Sequence, residues 1–306
     1  VLRFVAIRIL QFPLILAIIY IVTFLLCWIA PGSPFQRTER QLSPQVEQSL
    51  RRQYHAETWY GFLFYYPVRM VQGDFGPSFN YPGRNVGEII RLTLPVSAKV
   101  GLLAMLIAIV LGTFIGTVAA VYRGRPPDWL SLSIALAGVS LPSFVVAAIL
   151  RALFAFKWDF FPVGQTTPTL SGLILPGVAL SLLPMAYITR LTRVSMIDIL
   201  SADFIRTARA KGVGKASVIF KHALRNAFLP VLSYIGPATA VTMTGSFVVE
   251  TVFQIPGMGK YFVESVQSRD QTMILGVVMV YSALLLLLNL MVDVAYTVVD
   301  PRISVG

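Results

Sequence analysis

Few residues in this chain could do bond-making chemistry. It has two histidines, His55 and His222, and one cysteine, Cys27. Neither an intramembrane Ser/His hydrolase nor a His-bearing metal site has the side chains it needs. A lone cysteine allows no internal disulfide and no Cys-based metal site. Gly214-Lys215-Ala216 and Gly259-Lys260 are fragments of a phosphate-binding loop, but both lack the upstream glycine and the following Ser/Thr. The sequence therefore predicts no ATP site, cofactor or metal in this chain. Ionisable residues within apolar runs carry a functional hypothesis of their own. Arg151 and Glu250 could pair or serve an external gate, or each could simply reach the interface. Asn289 and Asp293 lie one turn apart, and Asp293 could bind a partner within the spans or line the route. Lys99 reads as a snorkelling lysine. Thr242, Met243, Thr244 and Ser246 could line a pathway, although hydroxyls in spans commonly bond neighbouring helices.

The elements that must position these residues are apolar. Hydrophobic residues make up 56% of the 306 positions, charged residues 13%, and mean hydropathy is +0.73. A soluble domain averages about 25% charged residues, and several apolar runs reach the roughly 20 residues that cross a bilayer. The expected class is an all-α polytopic membrane protein with six transmembrane helices. The first span, about 9–30, exceeds a signal-peptide core of about 7–15 residues, and we read residues 1–31 as a retained helix. Residues 32–95 form a polar interval expected to be a small helical extracytoplasmic cap. Val46, Leu50 and Tyr54 suggest one amphipathic helix there, and the aromatic run from Trp59 to Val71 a second segment. Residues 96–306 hold five further spans, near 96–122, 129–156, 171–192, 228–251 and 272–299. The second contains Gly112-x-x-x-Gly116, a close-packing motif. The third is interrupted by Pro142.

The formal charge of +11 does not indicate nucleic acid, because the bases lie between apolar blocks rather than along a soluble domain. Six spans place both termini on one side. Segments on that side carry Arg3, Arg8, Arg123, Arg125, Arg190, Arg193, Arg302 and the bases of residues 203–230, whereas the short opposite loops hold Lys157, Lys260 and Arg269. The positive-inside rule then makes both termini cytoplasmic. The seven arginines of residues 35–95 do not reverse this, since long loops cross largely regardless of charge.

The longest ordered polar stretch in the second half is Asp203 to Pro230. It carries Arg206, Arg209, Lys211, Lys215, Lys221 and Arg225 against one acid, Asp203. Helix formers on both sides of Gly212-Val213-Gly214 predict two short helices joined by a turn. So much order in one cytoplasmic loop, residues 193–227, suggests a docking partner.

This stretch resembles the cytoplasmic loop of binding-protein-dependent ABC importer permeases, whose pattern is Glu-Ala-Ala, three residues, Gly, nine residues, Ile-x-Leu-Pro. Counted from Gly212, the first positions are Arg206, Thr207 and Ala208, and the last are His222, Ala223, Leu224 and Arg225. The glycine, one alanine and the leucine match; the glutamate, isoleucine and proline do not. These departures resemble the dipeptide/oligopeptide/nickel branch. Ala30-Pro-Gly-Ser-Pro-Phe35, Gly73-Asp-Phe-Gly-Pro-Ser-Phe79, Glu250-Thr-Val-Phe-Gln-Ile-Pro-Gly-Met-Gly259 and the ending from Val292 to Pro301 agree with it. The chain is most similar to the B-type membrane subunits of oligopeptide importers. Arg151 falls where that branch has an apolar residue.

The resemblance implies a type I importer permease fold and a homologous second permease with which the path is formed. It implies two cytoplasmic ATPase subunits that hold the ATP and magnesium, and an extracytoplasmic peptide-binding protein that touches the cap and residues 253–271. The coupling helix would run from Val213 to Phe220, with Val218, Ile219 and Phe220 as apolar contacts and Lys215 and Lys221 at the rim. The same branch moves dipeptides, glutathione and nickel. A self-sufficient secondary carrier, or a scaffold without transport, is the competing class. The carrier would need an internal inverted repeat and ion ligands, neither of which is visible.

Overall fold

The computed structural model describes residues 2–29, 52, 58–81, 83–165, 168–244 and 247–299. The described residues are helical almost throughout, with one isolated antiparallel bridge between Pro77 and Asn85. The amphipathic segment expected around Val46 to Tyr54 lies outside them. Among the described residues, four helices are long and apolar enough to cross a membrane: α1 (Leu2–Ile29), α3 (Val86–Val121), α6 (Leu170–Ser201) and α13 (Gln271–Val299). A fifth crossing forms if α4 (Pro126–Ser140) and α5 (Ser143–Leu150, continued by a π-turn Arg151–Lys157) count together, although they bend by 103°. The fifth expected span is the shorter α10 (Leu229–Thr244), followed by α11 (Phe247–Val252).

The chain divides into two compact units, Val1–Ser97 with Pro256–Leu287, and Ala98–Ile255 with Leu288–Gly306. Within the first unit, residues 58–81 pack with α1 and the start of α13. The reason is aromatic packing. Helix α2 (Trp59–Val71) is capped by Thr58, whose hydroxyl accepts from the Gly61 N–H. It buries Phe62 and Tyr66 against Tyr20 and Phe24 of α1 and Leu275 of α13. The Tyr66 hydroxyl lies 2.8 Å from the Phe75 carbonyl and 3.0 Å from that of Thr272, so its polar end is satisfied inside this cluster.

Helix α3 begins ten residues before its expected start at Val96. The Asn85 side chain accepts from the Gly87 N–H at 2.8 Å, and Glu88 sits in the positive first turn. Val86, Ile89 and Ile90 then bury one face against Met258, Met273 and Val277. Pro95 removes a single backbone donor and does not end the helix.

In the second unit, Gly112 and Gly116 do what their spacing predicts. A β-carbon at Gly116 would lie 2.5 Å from the Thr189 carbonyl oxygen, and one at Gly112 would lie 2.9 Å from that of Met185. The backbones of α3 and α6 therefore approach closely, as small residues allow. The bend between α4 and α5 has a local cause. Leu141 precedes Pro142 and is extended (φ −89°, ψ 124°), as the proline ring requires of its predecessor. Helix α6 runs nine residues past Thr192, where its span was expected to end. Met196 is fully buried and Ile197, Ile199 and Leu200 pack around it, so the apolar stripe continues beneath the basic segment.

Candidate functional site

The basic segment is ordered and built on that stripe. Helix α7 (Asp203–Ala210) buries Ile205 and leaves Arg206, Thr207 and Arg209 exposed. It ends in a Schellman motif. The Gly212 N–H donates to the Arg209 carbonyl at 3.0 Å and the Val213 N–H to the Ala208 carbonyl at 3.2 Å. Gly212 has a φ of +78°, a left-handed conformation that side-chain-bearing residues enter only with strain. Gly214 has an ordinary φ of −60° and caps the next turn. From there α8 (Lys215–Ser217), a π-turn (Val218–Ala223) and α9 (Leu224–Ala227) follow without a break.

The expected coupling helix thus starts at Lys215, two residues after Val213, because Gly212 to Gly214 form the turn. Its faces are sharply divided. Val218, Ala223 and Ala227 are buried with Ala120, Met196 and Ile205. Val218, expected to be an apolar contact for a partner, is instead part of this chain's own core. Ala208, Val213, Ile219, His222 and Leu224 are half-buried at the margin. Phe220 is 60% exposed, with Lys211, Gly212, Gly214, Lys215 and Lys221 also exposed. Asp203, the stretch's single acid, pairs with Arg206 at 3.4 Å in open solvent. That pair holds little energy and leaves the surface positive. The result is a firmly backed, basic surface with two exposed aromatic rings, Phe204 and Phe220.

The other singled-out residues lie apart from this surface. Arg151 donates to the Val252 carbonyl and lies 4.9 Å from the centroid of the Phe156 ring. Its guanidinium is thus bound to backbone two residues beyond Glu250. Glu250 is fully buried within the protein. Thr242 donates to the Ala238 carbonyl at 2.7 Å, and Met243 packs so closely on Gly101 that a β-carbon there would lie 2.5 Å from its Cγ. Both are core residues here. Asn289 and Asp293 are half-buried on α13. Ser246 lies outside the described residues.

Two arrangements escaped the sequence reading. Arg193 on α6 grips Asp128 on α4 with both arms, Nε to Oδ1 at 2.6 Å and Nη2 to Oδ2 at 2.9 Å. The Gly124 N–H adds a third donor to Oδ2 at 2.9 Å. The two residues lie 65 positions apart, and only the acid in a turn of arginines hinted at a partner. In the other unit, buried Asp270 accepts from Ser78 Oγ, the Asn80 N–H and the Met273 N–H, fastening the Gly73–Phe79 stretch to the start of α13. No short-range pattern connects those positions.

Helices long and apolar enough to cross a membrane, with an ordered basic element following α6, define a polytopic membrane protein. The model of the family "Binding-protein-dependent transport system inner membrane component" matches residues 89–305. The chain belongs to that family, the membrane permease subunits of ABC importers, in which separate subunits hydrolyse ATP. It is 41% identical over 288 residues to the dipeptide transport system permease protein DppB of Bacillus subtilis (strain 168), covering 94% of this chain and 93% of that one. It is 42% identical over 307 residues to the oligopeptide transport system permease protein OppB of Salmonella typhimurium (strain LT2), covering 99% of each. The OppB protein of Haemophilus influenzae is 40% identical over 304 residues, again covering 99% of each.

Proposed function

We propose that this chain is the permease subunit of an ATP-driven importer of peptides and forms half of the translocation path with a homologous second permease. The near full-length similarity to proteins named as oligopeptide and dipeptide permeases supports the substrate class. Two cytoplasmic ATPases, carrying ATP and magnesium, dock beneath the permease pair. One receives the surface around Lys215, Phe220 and Lys221. An extracytoplasmic binding protein delivers peptide to the opposite face, and both termini are cytoplasmic. The observation that carries the docking role is the division of residues 215–227. Its inner face is sealed into this chain's core, while Phe220, Lys215 and Lys221 stay exposed, Phe220 at the edge of an apolar cleft it shares with Phe114 and Leu232. A ring left 60% exposed beside bases fits a groove on a partner better than it fits water.

The experiment is co-purification of the tagged chain, expressed with its neighbouring genes, followed by ATP hydrolysis and uptake of labelled peptide in proteoliposomes. Recovery of an ATPase and a second permease, with ATP-dependent peptide uptake, is the expected result. A chain that purifies without an ATPase and transports alone under an ion gradient would be a secondary carrier. Uptake of nickel but not peptide would move the substrate within the same branch.

A further inference from the structure

The Asp128–Arg193 pair joins the base of the basic segment to a different helix. Arg193 lies on α6 one turn before Met196, the fully buried residue on which Ile205 and Val218 pack. Asp128 lies in the first turn of α4 and is 3% exposed. The contact is bidentate and largely buried, with side chains 20% and 5% exposed, which fixes distance and orientation together. Helix α4 is also held to α6 at its far end, where a β-carbon at Gly138 would lie 2.9 Å from the Leu182 carbonyl oxygen. Beyond Gly138 come the 103° bend and the π-turn that carries Arg151 to the Val252 carbonyl.

From this geometry we infer that Asp128 and Arg193 are positioning residues for energy coupling. They clamp α4 to the coupling segment's foundation, so that a push on residues 215–221 displaces α4 together with α6. This inference rests on the proposed docking of an ATPase to that segment. Without the clamp, the segment still presents Phe220 and Lys215, because its own core of Met196, Ile205, Val218 and Ala223 is separate from the ion pair. An ATPase would then bind and turn over, but the first turn of α4 would lag while its far end stays held at Gly138. Loss of the pair should therefore separate ATP hydrolysis from transport, which a general loss of stability would not do.

The test uses the full complex in proteoliposomes, measuring radiolabelled trialanine uptake and ATP hydrolysis on the same preparation. Asp128→Asn keeps an acceptor for the Gly124 N–H but removes the charge. It should assemble, hydrolyse ATP, and move about ten-fold less trialanine per ATP than the original chain. Removing one member of a buried pair can also cost folding. The double variant Asp128→Asn/Arg193→Gln, which leaves no uncompensated charge, guards against that. It should recover assembly while its uptake per ATP stays reduced. An unchanged ratio in the double variant, or a parallel loss of hydrolysis and uptake in an assembled complex, overturns the inference. Absence of ATP-driven uptake in the unaltered complex overturns the importer reading, and this inference with it, before any variant is compared.

Discussion

Ser78 donates its hydroxyl to the Asp270 carboxylate at 2.6 Å, across 192 positions of sequence. The same carboxylate takes the Asn80 N–H at 3.0 Å and the Met273 N–H at 3.1 Å, and the Thr272 hydroxyl lies 2.9 Å away. Asp270 is wholly buried, so these donors take the place of water around its oxygens. Asp270→Ala leaves several donors without a partner and should cost about 3 kcal/mol of stability. Thermal unfolding of the detergent-solubilised protein would show this. Asp270→Asn should also destabilise, because its amide would face N–H donors.

Gly212 and Gly214 make a paired test of the turn. Neither has an atom within 4 Å of an added β-carbon, so space does not distinguish them; backbone conformation does. Gly212→Ala forces alanine into the left-handed region and should cost about 1–2 kcal/mol. Gly214→Ala should be nearly neutral, since its φ of −60° suits any residue. Amide hydrogen exchange across 203–227 measures the difference as faster opening in the first variant only.

Val218 and Phe220 are two residues apart and should respond oppositely to the same change. Val218→Asp places a charge in a core where the valine is 2% exposed, and should unfold the segment or prevent accumulation. Phe220→Asp should change melting by less than about 0.5 kcal/mol equivalent, yet release the ATPase from the purified complex. Size-exclusion chromatography of both variants reads the contrast.

Glu264 on α12 (Met258–Ser268) accepts a hydrogen bond from the Tyr81 hydroxyl, and burial pushes its carboxyl above the ordinary glutamate range. Lys260, 3.8 Å away, is open to water and does not offset this. With its pKa raised in the folded state, the folded protein binds the proton more tightly than the unfolded chain. Stability contributed by this group is then present at low pH and lost as pH rises above about 4.3 and through the raised value. Glu264→Gln should remove that slope. Melting temperatures of the two proteins should differ in the variant's favour at neutral pH and converge or cross in acid.

The sequence alone determined the class and the place of the ordered basic segment. Runs of about 20 apolar residues have few alternatives to spanning a bilayer. Likewise Gly212 between two helix-forming stretches announces a helix end, and Gly112-x-x-x-Gly116 a close crossing, because both depend on residues a few positions apart. Tertiary structure decided which side of each helix is spoken for. Val218 and Phe220 are equally apolar on paper, and only the packing of Met196 and Ile205 makes one core and the other surface. It also placed Thr242 and Met243 within the packing of the second unit, and gave Arg151 a backbone carbonyl as partner. Asp128 with Arg193, and Ser78 with Asp270, meet across 65 and 192 positions. Such pairs form because helices and turns bring distant charges and donors together where water is excluded, and no local spacing encodes that.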